Sequence, residues 1–414
     1  MSHAELDGPP SESSESTPDG PKRRAKVRRR HTVGKVLLAS IVVLALATGL
    51  GVVFLYRHLN GNLEVLDPTD QLSNRPDKVV DAGPHEPLNV LVMGSDTREG
   101  AGNNIDGLTG GGERSDTTIL LHLSADRKRA YGVSIPRDLL IDRPECKAED
   151  GDAIPGGTQV MWNEAFSVGG PACTIQQFEQ VTGIRLDHFV VVDFEGFRGM
   201  VDAIGGVKTC IPEDIVDPAH GINIEAGTRE LKGYEALNYV RERYNVGNGS
   251  DVGRMKRQQA FIASMAHQVV TAGTLARPDR LVRFLDSATK SLTVDPGLKN
   301  VIKIAELGNQ FKGIGLDNIQ FTTIPIIQAP SDPNRLAFQQ PEANQVWKKL
   351  RNDEPLTKRL SQDVISAGDV PGKSESRSGS SSSSGSSGGP SGGASSTPAD
   401  DASKQALADA GLCV

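Results

Sequence analysis

The stretch "RSDTTILLHLSADRKRAYGVSIPRD", Arg114–Asp138, holds two apolar runs around a polar turn. TTILLHL and RAYGVSI are rich in β-branched, aliphatic and aromatic residues, and SADRK between them is polar. This predicts a β-hairpin turning near Asp126. Residues about ten before and ten after the turn then lie side by side, which sets Asp116 across from the Pro136–Arg137 region. The hairpin therefore opens onto Arg114, Asp116, Arg137 and Asp138. Such a cluster either forms a salt-bridged rim on a sheet or lines a site.

Working outward, LNVLVMG at 88–94 reads as a buried strand ending in glycine, followed by Ser95-Asp96-Thr97-Arg98 and the loop GAGNNIDGLTGGGE. Polar loops of that length in compact domains are usually functional or disordered. Downstream, Ile175, Phe178 and Val181 share a face of a helix that starts at Thr174 and stops at Gly183. HFVVVDF is a second buried strand, EGFRGMVDAIGG a helix and VKTCI a short strand. Helices are expected at 232–243, 253–272, 278–291 and 297–311, and a further strand at 318–326. Strands alternating with helices predict an α/β fold, an α-β-α sandwich with a central mixed sheet.

The chain has 414 residues and a formal net charge of −7, so nothing global points to nucleic acid. The charge is unevenly placed. Residues 22–30, KRRAKVRRR, are almost wholly basic, and Val36 to Tyr56 carries no charge. About 20 such residues span a bilayer core. A basic flank stays in the cytoplasm, so the N-terminus is expected inside and everything after His58 outside. The expected organisation is a disordered basic cytoplasmic tail at 1–35, a single transmembrane helix at 36–56, a stalk at 57–86, a folded domain at 87–355 and a Ser/Gly-rich disordered tail at 356–414. There are four cysteines and no CxxC pair, which disfavours a zinc site. An outside location permits disulfides. Three cysteines, Cys146, Cys173 and Cys210, fall in the folded part, so at most one pair forms among them, and spacing alone leaves the pairing with Cys413 open.

A second informative stretch is ALNYVRERYNVGNGSDVGRMKRQQAFIASMAHQVV. Arg254, Gln258, Phe261, Met265 and Val269 fall on one helical stripe, whose apolar end is core and whose N-terminal end is Arg and Gln. Arg241, Arg243, Arg254 and Arg257 crowd 17 residues, and Glu242 and Asp251 are too few to neutralise them. Arginine in surplus near a helix N-terminus suits a polyphosphate. Asp96 and Asp116 offer hard oxygens for Mg²⁺, while Arg98, Arg114, Arg137, Arg241, Arg243 and Arg254 offer forked donors. A metal bridging phosphate oxygens, with arginines holding the developing charge, is what phosphoryl transfer needs.

GSDTR, RSDTTIL, SIPRD, VDFEGF with VDAIGGV, LKGYEALNYVRERY and DVGRMKRQQ, in that order over roughly 86–272, resemble the LytR–CpsA–Psr family. The Ser/Gly tail and GGPACT resemble its actinobacterial members. The resemblance implies an α-β-α fold with a hydrophobic groove for a polyprenyl pyrophosphate. It also implies a phosphotransferase that moves a glycopolymer from its undecaprenyl-pyrophosphate carrier onto peptidoglycan. By that resemblance Asp96 and Asp116 bind Mg²⁺, and Asp96 also deprotonates the incoming hydroxyl. Arg114, Arg137, Arg241, Arg243, Arg254 and Gln258 hold the pyrophosphate or position the acids, with Arg98 and Asn163 as further substrate contacts. Met161 stands where many members carry a lysine two residues before that asparagine. The rival reading is a non-catalytic envelope protein, a regulator or wall-binding module that holds lipid without transferring it. Paired aspartates favour the enzyme, because a binder needs arginines but has little use for the acids.

Overall fold

The computed structural model describes residues 28–78, 85–95, 115–218, 221–271, 277–311, 313–361, 364–369 and 398–413. The chain divides between Leu55 and Tyr56 into two compact units. The first holds most of α1 (Arg28–Asn62), a helix whose stretch from Thr32 is long and apolar enough to cross a membrane.

The second unit is built on an eight-stranded mixed sheet. Its strands are β1 (Glu64–Val65), β2 (Leu88–Ser95), β3 (Ser115–Leu123), β4 (Ala130–Ile135), β5 (His188–Val192), β6 (Leu292–Val294), β7 (Ile319–Thr323) and β8 (Ile365–Ser366), in the order β1-β6-β5-β2-β3-β4-β7-β8. The β2–β3, β3–β4, β5–β6 and β7–β8 pairs are antiparallel, and β1–β6, β2–β5 and β4–β7 are parallel.

Side chains alternate between the two faces of a strand, and here the two faces do different things. Leu91, Met93, Leu120, Phe189 and Val191 point to one side and join the largest core cluster. There they meet α2 (Glu164–Thr182) and α8 (Glu342–Arg351), where Phe178 stands edge-on to Trp162 and Trp347 with ring centroids 6.5 and 6.1 Å apart. Their neighbours Val92, Thr117, Ile119, Leu121 and Val192 point the other way, toward α3 (Phe194–Ile204), α4 (Gly233–Arg241) and α5 (Asp251–Thr271). Helices thus cover both faces, as the alternating pattern predicts. α6 (Pro278–Thr289) packs on α3, and α7 (Val301–Gln310) follows β6.

Several boundaries differ from the sequence expectation for local reasons. The helix expected from Thr174 begins at Glu164, and Gly169 and Gly170 break it with non-helical dihedrals. Gly170 takes φ 58° and ψ −151°, a conformation open to glycine. Pro171 then starts the second segment, where a missing N–H costs nothing. Gly183 ends it at φ 67°. α3 runs as expected, from the Asp193 carboxylate accepting the Gly196 N–H at 2.6 Å to Gly205 at φ 94°. VKTCI is a strand, but it pairs with Gly227–Leu231 in a separate two-stranded sheet.

The 57–86 segment does not stand free as a stalk over its described part. β1 extends the sheet beside β6, and Arg75 Nε donates to the buried Glu179 at 2.8 Å. A carboxylate buried inside α2 requires such a partner. The 356–414 segment is not all tail either. Leu360 is buried, β8 pairs with β7, and α9 (Pro398–Asp409) ends in residues that dock on the domain. Residues 370–397, most of the Ser/Gly run, lie outside the described residues.

All four cysteines are paired, Cys146 with Cys173 and Cys210 with Cys413. The first bond joins residues 27 apart. A Cys146→Ser/Cys173→Ser double variant should lose about 3.5 kcal/mol of unfolding free energy, by the loop-closure entropy released to the unfolded chain. Urea denaturation measures it. A loss under about 1 kcal/mol would show that this loop is already restricted in the unfolded chain.

Candidate functional site: an arginine-headed apolar cavity

The hairpin register runs Thr118 opposite Ile135 to Leu123 opposite Ala130. Carried two residues further, it sets Asp116 opposite Arg137, and Arg137 Nη1 donates to Asp116 Oδ1 at 2.8 Å. Arg137 also faces Asp251 Oδ1 at 3.4 Å and Asp138 Oδ2 at 3.7 Å. Asp138 is shared with Arg335 at 3.1 Å. Burial works against the charge on Arg137, but Asp116, Asp251 and Asp138 outweigh it, and its pKa is raised.

Asp251 opens α5 and passes the network on. Arg254 Nη2 lies 2.8 Å from Asp251 Oδ1, at an angle too poor for a hydrogen bond. Burial pushes the Arg254 pKa down. Asp251 opposes that, and the neighbouring charges of Arg137 and Arg243 push it down further. Arg137, Arg243 and Arg254 thus stand close enough to feel one another's charge. The Nε groups of Arg137, Arg243 and Arg254 are buried with no hydrogen-bond partner among the described residues. Such orphans are uncommon and costly, about 1–3 kcal/mol each.

These groups sit at one end of a cavity of ≈ 670 Å³ between the sheet and α3, α4 and α5. Asp116, Arg137, Arg241, Arg243, Arg254 and Gln258 all line it. Its remaining wall is largely apolar, with Phe194, Phe197 and Met200 from α3, Leu237 and Val240 from α4, and Phe261, Ile262 and Met265 from α5. Gly94 also lines it, and a Cβ there would press on Thr117 Cβ at 3.3 Å. The α5 stripe behaves as its sequence predicts, with a polar head at Arg254 and Gln258 and an apolar continuation through Phe261 and Met265. Phe261 is itself buried in the core, and the stripe also borders the cavity.

Arg241 and Arg243 share the cavity because α4 stops at Arg241. Glu242 takes φ −56° and ψ 136°, an extended conformation. Residues two apart then share a side. Two aromatic rings support the guanidiniums. Arg241 lies over Phe194 at 4.6 Å and Arg243 over Tyr244 at 5.2 Å. Gln258 acts as a brace, accepting from the Thr117 hydroxyl at 3.2 Å and donating to the Val240 carbonyl at 3.1 Å.

Asn163 does not line the cavity. It is buried ahead of α2, and its N–H donates to the Arg137 carbonyl at 3.3 Å. Asp96, Arg98 and Arg114 lie outside the described residues. Phe194, Tyr244 and Thr117 were not among the sequence candidates. No local pattern marks them, since their roles come from what they face. Asp251 had a signal, as an acid one turn before Arg254.

The profile of the LytR_cpsA_psr family matches residues 55–352. A Corynebacterium glutamicum protein described as probable cell wall biosynthesis protein LcpB is 34% identical over 243 residues, 58% of this chain and 54% of the relative. The chain thus spans about half the length of that relative. A Bacillus subtilis polyisoprenyl-teichoic acid–peptidoglycan teichoic acid transferase, TagV, is 26% identical over 326 residues, 77% of each chain. A solved LytR-Csp2A-Psr enzyme from Actinomyces oris superimposes with a TM-score of 0.51 at 19% identity, over 70% of this chain and 96% of that one, and shows the shared fold. The ordered motifs, the α-β-α architecture and a profile match over most of the folded chain lead to one assignment: the chain belongs to the LytR–CpsA–Psr family.

Proposed function

We propose that this protein is a membrane-anchored phosphotransferase that moves a glycopolymer from an undecaprenyl-pyrophosphate carrier to a peptidoglycan hydroxyl. The carrying observation is the apolar cavity headed by Arg137, Arg241, Arg243 and Arg254. A polyprenyl pyrophosphate has the same polarity, a dianionic head on a long hydrocarbon. The tail would lie along Phe261 and Met265, and the two phosphates would meet the guanidiniums.

In the reaction the acceptor hydroxyl oxygen attacks the phosphorus that bears the glycopolymer. The bridging P–O bond of the pyrophosphate breaks, and polyprenyl monophosphate leaves with the electron pair. The hydroxyl proton goes to a carboxylate, for which Asp96 is the expected base. The product is a phosphodiester. The arginines hold the charge that gathers on the leaving phosphate, in a cavity whose apolar walls strengthen those contacts.

Asp116 is a half-buried carboxylate at the arginine end, held by Arg137. Among the described residues no group of three or more His, Cys, Asp or Glu is placed to hold a metal ion. Mg²⁺ takes one or two carboxylates and completes its shell with phosphate oxygens and water. Mg²⁺ held by Asp116 and the substrate would supply charge neutralisation across the two phosphates. The basic flank supports an N-terminus in the cytoplasm, and the paired cysteines suit an oxidising exterior.

The test uses purified full-length protein in detergent. With polyprenyl pyrophosphate and Mg²⁺ it should release phosphate, and with glycopolymer-bearing carrier and peptidoglycan it should form the phosphodiester. Absence of both lipid binding and turnover, with and without Mg²⁺, would refute the assignment.

A further inference from the structure

Arg257 is fully buried, yet it does not line the cavity. It lies three residues after Arg254 on α5 and faces elsewhere. Its Nη2 donates to the Glu242 carbonyl, and its Nη1 donates to the Ala410 carbonyl at 2.9 Å. One guanidinium thus joins the loop after α4 to the far C-terminal segment.

Both ends of that link are closely built. The Glu242 carboxylate turns back to accept the N–H groups of Arg243, Tyr244 and Asn245 at 2.9, 2.8 and 3.2 Å. It therefore orders the loop that presents Arg243. On the other side, the Asn248 N–H donates to the Asp409 carbonyl at 2.8 Å. Gly411 takes φ 71°, and a side chain there would strike Val246 and Gly247. Ala410 and Leu412 are buried, and Cys413 is bonded to Cys210.

We infer that Arg257 is a positioning residue, and that Ala410–Cys413 is a strap that holds the Arg241–Asn245 loop in the geometry that binds the anionic head group. A buried guanidinium must find acceptors, and here one acceptor comes from the loop and the other from the strap. Removing the strap leaves Arg257 seeking a new acceptor, and its hold on the Glu242 carbonyl loosens. The ligand's identity rests on the reading under Proposed function, whereas the ordering of the loop does not.

The experiment uses the full chain carrying Cys210→Ser, Cys413→Ser and Gly411→Val together, which removes the covalent tie and the fit of the strap. Amide hydrogen exchange is followed at residues 243–249, and affinity is measured for polyprenyl pyrophosphate and for uncharged polyprenol. Exchange at 243–249 should quicken by about tenfold or more, and affinity for the pyrophosphate should fall about tenfold, the equivalent of one charge-assisted hydrogen bond. Affinity for polyprenol should stay within about twofold, because the apolar walls are untouched. Unchanged exchange at 243–249 would overturn the proposal. So would faster exchange with unchanged pyrophosphate affinity, or equal losses for both lipids, which would mean general loosening. Arg257→Lys, which keeps the charge but cannot span both carbonyls, carries the same readings if the triple variant does not fold. A wild-type chain that binds no polyprenyl pyrophosphate would sink the functional reading, and the exchange data would still decide whether the strap orders the loop.

Discussion

Asp116→Ala is expected to lower Mg²⁺-dependent turnover of polyprenyl pyrophosphate by at least about 100-fold, since even outer-shell partners of a metal are worth 10–100-fold. The fold should survive. Arg137 keeps Asp251 and Asp138 within 3.4 and 3.7 Å, so its charge is not stranded. The stability loss should stay near 1 kcal/mol, the range of a partly exposed ion pair. Asp116→Asn sharpens the test. An amide oxygen can still accept from Arg137 Nη1, so the structural bond is kept while the carboxylate charge is lost. If turnover follows the charge, both variants fail alike and added Mg²⁺ restores little. An Asn variant with wild-type rates would show that Asp116 serves only to hold Arg137, and the metal assignment would be wrong.

Arg241→Lys and Arg243→Lys should each reduce turnover by about tenfold or more, and the alanine variants by roughly a hundredfold. Lysine keeps the positive charge but loses the planar fork that fits phosphate oxygens. It also loses the flat face that lies over Phe194 or Tyr244. One lost charge-assisted hydrogen bond of about 1.5–3 kcal/mol sets the scale, since every 1.4 kcal/mol is about tenfold in rate. The loss should appear mainly in kcat, because charge on the leaving phosphate develops in the transition state. Thermal melting should change little, as both side chains are only half-buried at the cavity wall. Steady-state kinetics of the two lysine variants decide the matter. Unchanged turnover in both would mean that these arginines are solvated charge beside the cavity.

Much of the fold was legible because its signals are short-range. The Arg114–Asp138 stretch states its own register, since a hairpin turn fixes which residues face one another, and Asp116 met Arg137 as the count implied. α3 carries both of its boundaries in its sequence, an aspartate that caps and a glycine that stops. The α5 stripe announced a polar head on an apolar face. α4 ends at Arg241, two residues short of the helix expected to 243, and that stop is what lets Arg241 and Arg243 share a side. The site was less complete. Arg254 and Arg257 look alike in sequence, three apart on one helix, and nothing local says that one heads the cavity while the other is sealed behind it.

The sequence by itself determined the period of each element, the pairing of the central hairpin, the apolar N-terminal helix and the stock of arginines near one helix start. Those depend on contacts within about twenty residues, where chain geometry leaves few choices. Only the tertiary structure decided which cysteines pair, that the even-numbered face of β2 borders a cavity, that Phe194 lies under Arg241, and that residues 410–413 return to the domain. The Cys210–Cys413 bond closes a separation of 203 residues. Across such a distance chain connectivity specifies almost nothing, because lengthening a loop adds only logarithmically to its closure cost. The partner is then chosen by which surfaces pack and which buried groups, Arg257 among them, still need an acceptor.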